Sequence, residues 1–97
     1  MNVRIVTVQF KPGKLDEAVK WYGESVVPDV RTFPGVKALF MLTNPKTNKG
    51  LSVAMYESEA EMKAQEASGW LQKKLAALVP LMAAPPTTEY YEISVEA

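Results

Sequence analysis

The chain contains no cysteine and no histidine among its 97 residues. Their absence excludes a thiol nucleophile, a disulfide framework, an imidazole base, a Ser-His-Asp triad and the usual zinc or haem ligand sets. No metal site is expected, and any catalysis falls to carboxylate, Tyr, Lys, Arg or the substrate's own reactivity. Neither sign of charge is in excess. Lys plus Arg number 11 and Asp plus Glu number 11, so no field exists to hold nucleic acid or an anionic membrane. Residues 1–50 carry 8 basic and 4 acidic groups and residues 51–97 carry 3 and 7, net +4 and −4, a mild dipole suited to self-association. No apolar run reaches the roughly 18 residues of a membrane span. Met1 leads straight into a strand pattern without the apolar stretch of a secretory leader, so a cytoplasmic location is expected.

What is present is the balance of one packed domain over residues 1–97, with 47% apolar and 23% charged residues. Val3 to Phe10 places Arg4, Val6, Val8 and Phe10 on one face and Val3, Ile5, Thr7 and Gln9 on the other, which predicts a strand covered on both sides. After Lys11-Pro12-Gly13, Leu15, Ala18, Val19, Tyr22, Val26 and Val30 recur at helical spacing, and Pro28 predicts a kink around Glu24 to Pro28 because it lacks the N–H that position 24 needs. The runs Val36 to Leu42 and Leu51 to Tyr56, joined by a turn-rich loop, read as a hairpin. Ser58 and Glu61 fit a capping box that starts a second helix. Gly69 interrupts that helix, the stripe Leu71, Leu75, Leu78 and Met82 follows, and Thr87 to Val95 reads as the closing strand.

The order βαββαβ makes two crossover units, which the right-handed rule folds into an α+β ferredoxin-like plait: a four-stranded antiparallel sheet with both helices on one face. The uncovered face of such a sheet is ordinarily polar. Here both faces are apolar: Val36, Ala38, Phe40 and Leu42 stand opposite Leu39 and Met41, and Ala54 and Tyr56 face away from Leu51, Val53 and Met55, which leaves no clean polar side. A second copy packed sheet to sheet about a two-fold axis is the simplest cover, so a homodimer is expected.

Several segments resemble the antibiotic biosynthesis monooxygenase family of dimeric α+β barrels. They are the strand ending in Lys11-Pro12-Gly13, the Pro34-Gly35-Val36 turn, the stretch Tyr56 to Gln65 and Ser68-Gly69-Trp70. The resemblance spans nearly the whole chain in order and length. It implies a homodimer with a pocket between sheet and helices in each subunit and, in active members, oxidation of phenolic polycyclic substrates without metal or flavin. In that chemistry the substrate supplies the electrons while the protein binds its enolate or phenolate form and excludes water. Members often carry His at the position of Gln65, and His or Phe at that of Trp70. Gln cannot serve as a base near neutral pH. Haem-degrading relatives hold iron through His, which excludes that activity here.

Five residues are candidates for a ligand site. Arg4 shares a face with Val6, Val8 and Phe10, where a charge must pair or reach solvent; it is suited to a ligand oxyanion, although its place near the strand's start predicts simple exposure. Tyr22 lies on the buried helical stripe and Tyr56 ends a central strand, and either hydroxyl is suited to donate to a phenolate; Tyr90 and Tyr91 read as packing. Gln65 shares a helix side with Met62 and Gly69, opposite Ala60, Ala64 and Ala67, and the sequence leaves open which side meets the sheet. Trp70 lies about 100° from the Leu71, Leu75 and Leu78 stripe and reads as the wall of a pocket or dimer seam, or as an extension of the core. Three functions follow: a cofactor-free monooxygenase or related small enzyme acting on aromatic or polyketide-like compounds, a non-catalytic or stress-related barrel holding a small aromatic or hydrophobic molecule, and an assembly module.

Overall fold

β1 (Asn2–Gln9) opens the computed structural model, which describes residues 1–97. It is followed by α1 (Leu15–Trp21), a π-helical turn (Tyr22–Val26) and α2 (Val27–Val30), then by β2 (Val36–Asn44) and β3 (Lys49–Tyr56). The second half holds α3 (Glu59–Ala67), α4 (Trp70–Leu78), a 3-10 turn (Val79–Leu81) and β4 (Thr87–Glu92). The strands run antiparallel in the order β2-β3-β1-β4, with β1 central, which is the predicted ferredoxin-like topology. No helix is long and apolar enough to cross a membrane.

The kink expected at Pro28 takes the form of the π turn, where the Val27 N–H donates to the Tyr22 carbonyl. Its cause is visible in the buried positions Leu15, Ala18, Tyr22, Val26 and Val30, which after the first step recur every fourth residue. In a straight α-helix such steps drift round the axis by about 40° each. The wider π turn absorbs the drift and keeps Tyr22 and Val26 against the sheet.

Ser58 caps α3: its Oγ accepts from the Glu61 N–H at 3.2 Å. The returning half of the box differs from expectation, because the Ser58 hydroxyl donates to the Glu61 carboxylate at 2.9 Å. Ser58→Ala is expected to cost about 1 kcal/mol, which for a domain of this size is a fall of about 4–8 °C in melting temperature by calorimetry. Gly69, at φ +83°, breaks the helical run and forms the N-terminal boundary of α4. A side chain there would be strained in the left-handed region.

Val6, Val8 and Phe10 meet Leu15, Ala18, Leu78, Leu81 and Met82 on the helix side of the sheet. Alternation and register put Arg4, Ala54, Ser52, Leu39 and Met41 on the same side. A bulge between Val36 and Ala38 separates residues that simple alternation puts together: Val36 pairs with Tyr56 and packs on the helix side, while Ala38 pairs with Met55 on the other. The expected uncovered face therefore loses Val36. It still presents Val3, Ile5, Ala38, Phe40, Leu42, Leu51, Val53 and Met55, with Phe40 and Leu42 about half exposed. The closing strand ends at Glu92, short of the expected Val95.

Candidate functional site

Between the sheet and the two helical arms lies a cavity of about 50 Å³. Its floor is strand: Arg4, Val6 and Val8 of β1, Leu39 and Met41 of β2, and Gly50 and Ser52 of β3. Gly50 belongs there for a steric reason, since a Cβ would stand 2.8 Å from the Phe10 ring. Trp21, Tyr22, Val26 and Val30 form one wall, and Trp70, Leu71, Lys74, Leu75 and Leu78 form the other.

Arg4 is 4% exposed, which corrects the expectation of simple exposure. Being early in the strand does not bring it to solvent, because β1 is central and Arg4 lies opposite Ala54 on one side and Tyr90 on the other. Its guanidinium donates to Gln65 Oε1 at 3.1 Å, to Glu66 Oε2 at 3.2 Å and to the Tyr56 hydroxyl at 3.4 Å. Tyr56 in turn donates to Gln65 Oε1, and the guanidinium lies 5.5 Å from the Tyr56 ring centroid. Glu66, at the rim, also accepts from the Tyr90 hydroxyl at 2.7 Å. A guanidinium has donors only, so it fixes the Gln65 amide with its oxygen inward. Gln65 Nε2 is then buried without a partner.

Met62 and Gln65 are the buried side of α3, which resolves the choice that helical periodicity left open. Tyr22 lies across the floor, its hydroxyl 2.7 Å from Ser52 Oγ. Trp70 lines the cavity, stacks edge-on against Phe33 with centroids 5.1 Å apart, and donates through Nε1 to Asp29 Oδ2 at 2.8 Å. Arg4, Tyr22 and Trp70 thus line one cavity, and Tyr56 and Gln65 are joined to it through Arg4. Sequence reasoning missed Ser52, Glu66, Lys74 and Trp21. Ser52 had a signal, as the polar residue on the Ala54 and Tyr56 face of an apolar strand, and so did Lys74, one helical turn beyond Trp70.

Burial is the largest cause that raises the pKa of both Tyr22 and Tyr56 above the ordinary tyrosine value. Both are hydrogen-bond donors throughout the neutral range. A raised folded pKa means that the folded state holds protons the unfolded chain releases from about pH 10 upward. Their contribution to stability is complete below that pH and is lost as pH rises through the raised values. Urea unfolding is expected to give equal stability from these groups at pH 8 and 9 and a decline above pH 10, absent in a Tyr22→Phe/Tyr56→Phe variant.

Three solved structures share this arrangement of elements. A monooxygenase from the gene ActVA-Orf6 of Streptomyces coelicolor, in complex with nanaomycin D, superposes with a TM-score of 0.80 at 21% identity, over 99% of this chain and 89% of that one. The fold is that of the antibiotic biosynthesis monooxygenases. A candidate antibiotic biosynthesis monooxygenase from Deinococcus radiodurans superposes with a TM-score of 0.82 at 12% identity, over 100% and 96%. A protein of unknown function from Nitrosomonas europaea gives 0.77 at 23% identity, over 99% and 91%. No family model and no curated protein matches the chain in sequence.

Proposed function

We propose that the protein is a homodimeric α+β barrel in which each subunit binds a small oxygenated aromatic molecule in the helix–sheet cavity and oxidises it without a cofactor. The observation that carries this reading is the Arg4 end of the cavity. An apolar slot ends at a buried guanidinium. A ligand carbonyl or phenolate oxygen accepts from that guanidinium, which favours the ionised form of the ligand. The shared fold with a monooxygenase that holds nanaomycin D supports the same ligand class.

The chemistry asks little of the protein's own groups. An anthrone-type substrate reacts with O2 through its enolate: one oxygen atom becomes the new ring carbonyl, the other leaves as water, and the substrate supplies the electrons. The cavity contributes orientation, stabilisation of the enolate oxygen by Arg4, and exclusion of water. Oxygen uptake with anthrone and related phenols tests the activity, with a heat-killed control. Uptake at the control rate across the panel counts against catalysis.

One observation favours a second reading, binding without turnover. The ionisable residues along the cavity are Arg4, Tyr22 and Lys74, and none is a base near neutral pH. Saturable binding of nanaomycin D with no oxygen uptake from any substrate decides for it.

A further inference from the structure

The cavity is too narrow for its proposed ligand. Even benzene occupies an engineered cavity of roughly 150 Å³, so a 50 Å³ space admits no aromatic ring until part of its wall moves. The floor is a hydrogen-bonded ladder of three strands and does not open locally. The remaining walls are the two helical arms, and four side chains join them over the cavity.

Asp29 of α2 is the centre of that junction. Its Oδ2 accepts from Trp70 Nε1 at 2.8 Å and from Lys74 Nζ at 3.0 Å. Lys74 also donates to the Ser25 carbonyl at 3.2 Å and to Ser25 Oγ at 2.8 Å. Three acceptors use all three ammonium hydrogens, so Lys74 is a bracket between the arms and not a free cation for a ligand. Its Nζ lies 5.8 Å from the Trp70 ring centroid. Trp70 and Lys74 belong to α4 and line the cavity, while Ser25 and Asp29 stand on the π turn and on α2.

Both sides of the junction stand at breaks in their helices. Trp70 is the first residue of α4, directly after Gly69 in its left-handed conformation, with open space around the glycine. On the other arm, Ser25 and Asp29 flank Pro28, which contributes no backbone N–H. The Asp29 side chain is 42% exposed, so water solvates it at once if it swings outward.

Resting on the ligand cavity proposed above, we propose that Asp29 is the pin of an access clasp. It is a positioning residue that holds Trp70 and Lys74 across the seam between the arms, and its release admits a flat aromatic ligand. The chain has two tryptophans, so Trp21→Phe leaves Trp70 as the sole reporter. In that background Asp29→Ala is expected to raise acrylamide quenching of Trp70 about threefold and Asp29→Asn, which keeps an acceptor for the indole, by less, as for loosened lids.

Stopped-flow binding of nanaomycin D supplies the second arm. Association and dissociation are both expected to quicken about fivefold in Asp29→Ala while the dissociation constant changes less than about twofold, the signature of a lower entry barrier with the bound state unchanged. A merely structural role would weaken binding with the association rate unchanged, and that result overturns the clasp. So does equal quenching in Asp29→Ala and its parent. If nanaomycin D does not bind the parent protein, the ligand reading fails on its own and the quenching comparison alone decides the clasp. Should Asp29→Ala not fold, Asp29→Asn and Lys74→Met carry both measurements.

Discussion

Arg4→Met is expected to lower stability by about 3 kcal/mol, the lower end of the range for breaking a buried ion pair, and by the usual scaling to lower the melting temperature by about 12–24 °C. The cost comes less from the missing guanidinium than from the groups it leaves behind. Gln65 Oε1 then keeps only Tyr56, and the Glu66 carboxylate keeps Tyr90 and the rim solvent. Glu66 is 21% exposed, so water reaches it in part, and this holds the cost below that of a fully enclosed carboxylate. The double variant Arg4→Met/Glu66→Gln removes the stranded charge and is expected to recover about 1 kcal/mol, a coupling measurable by a double-mutant cycle in urea. If single and double variants unfold at the same urea concentration, Glu66 is not the counterion. Arg4→Met also separates stability from binding: its affinity for nanaomycin D is expected to fall at least about tenfold, since a charge-assisted hydrogen bond contributes about 1.5–3 kcal/mol.

Arg4 also marks where the sequence stops being informative. The alternation Arg4, Val6, Val8, Phe10 gave its face, but its partners Tyr56, Gln65 and Glu66 lie 52 to 62 positions away. Nothing local distinguishes a charge that pairs across the fold from one that reaches solvent at a strand's start. The strands, the α3 cap and the Pro28 irregularity were legible because each follows from local chemistry: period-two alternation, a hydroxyl before a helix, a missing N–H. The bulge at Lys37 was not, because no Gly or Pro marks it, and its effect on Val36 appears only once β2 is registered against β3.

Phe40→Asp is expected to convert the protein from twice the chain mass to the single chain mass in light scattering at about 100 µM or below, a range in which the substitution's cost outweighs mass action. The open sheet face carries Phe40 and Leu42, 45% and 51% exposed, beside Val53, Leu51 and Met55. Burying a Phe side chain contributes about 1.5–3 kcal/mol, and in an isologous interface each substitution acts twice. Phe40 has 45% of its surface left to bury, so removing both side chains costs the dimer about 1.4–2.7 kcal/mol, a factor of about 10 to 10² in dissociation constant, before the burial of two carboxylates is counted. Val79→Asp is the control. Val79 is also apolar and 60% exposed, but it follows α4 on the helix side, so its variant is expected to keep the dimer mass. A wild-type chain that stays monomeric at this concentration removes the proposed barrel. The cavity lies on the helix side of the sheet, opposite the face that carries Phe40, and Phe40 contributes only its carbonyl to the Tyr22 hydroxyl. A folded Phe40→Asp monomer is therefore expected to bind nanaomycin D within about threefold of wild type. A much larger loss would mean that the second copy shapes the ligand site as well as covering the sheet.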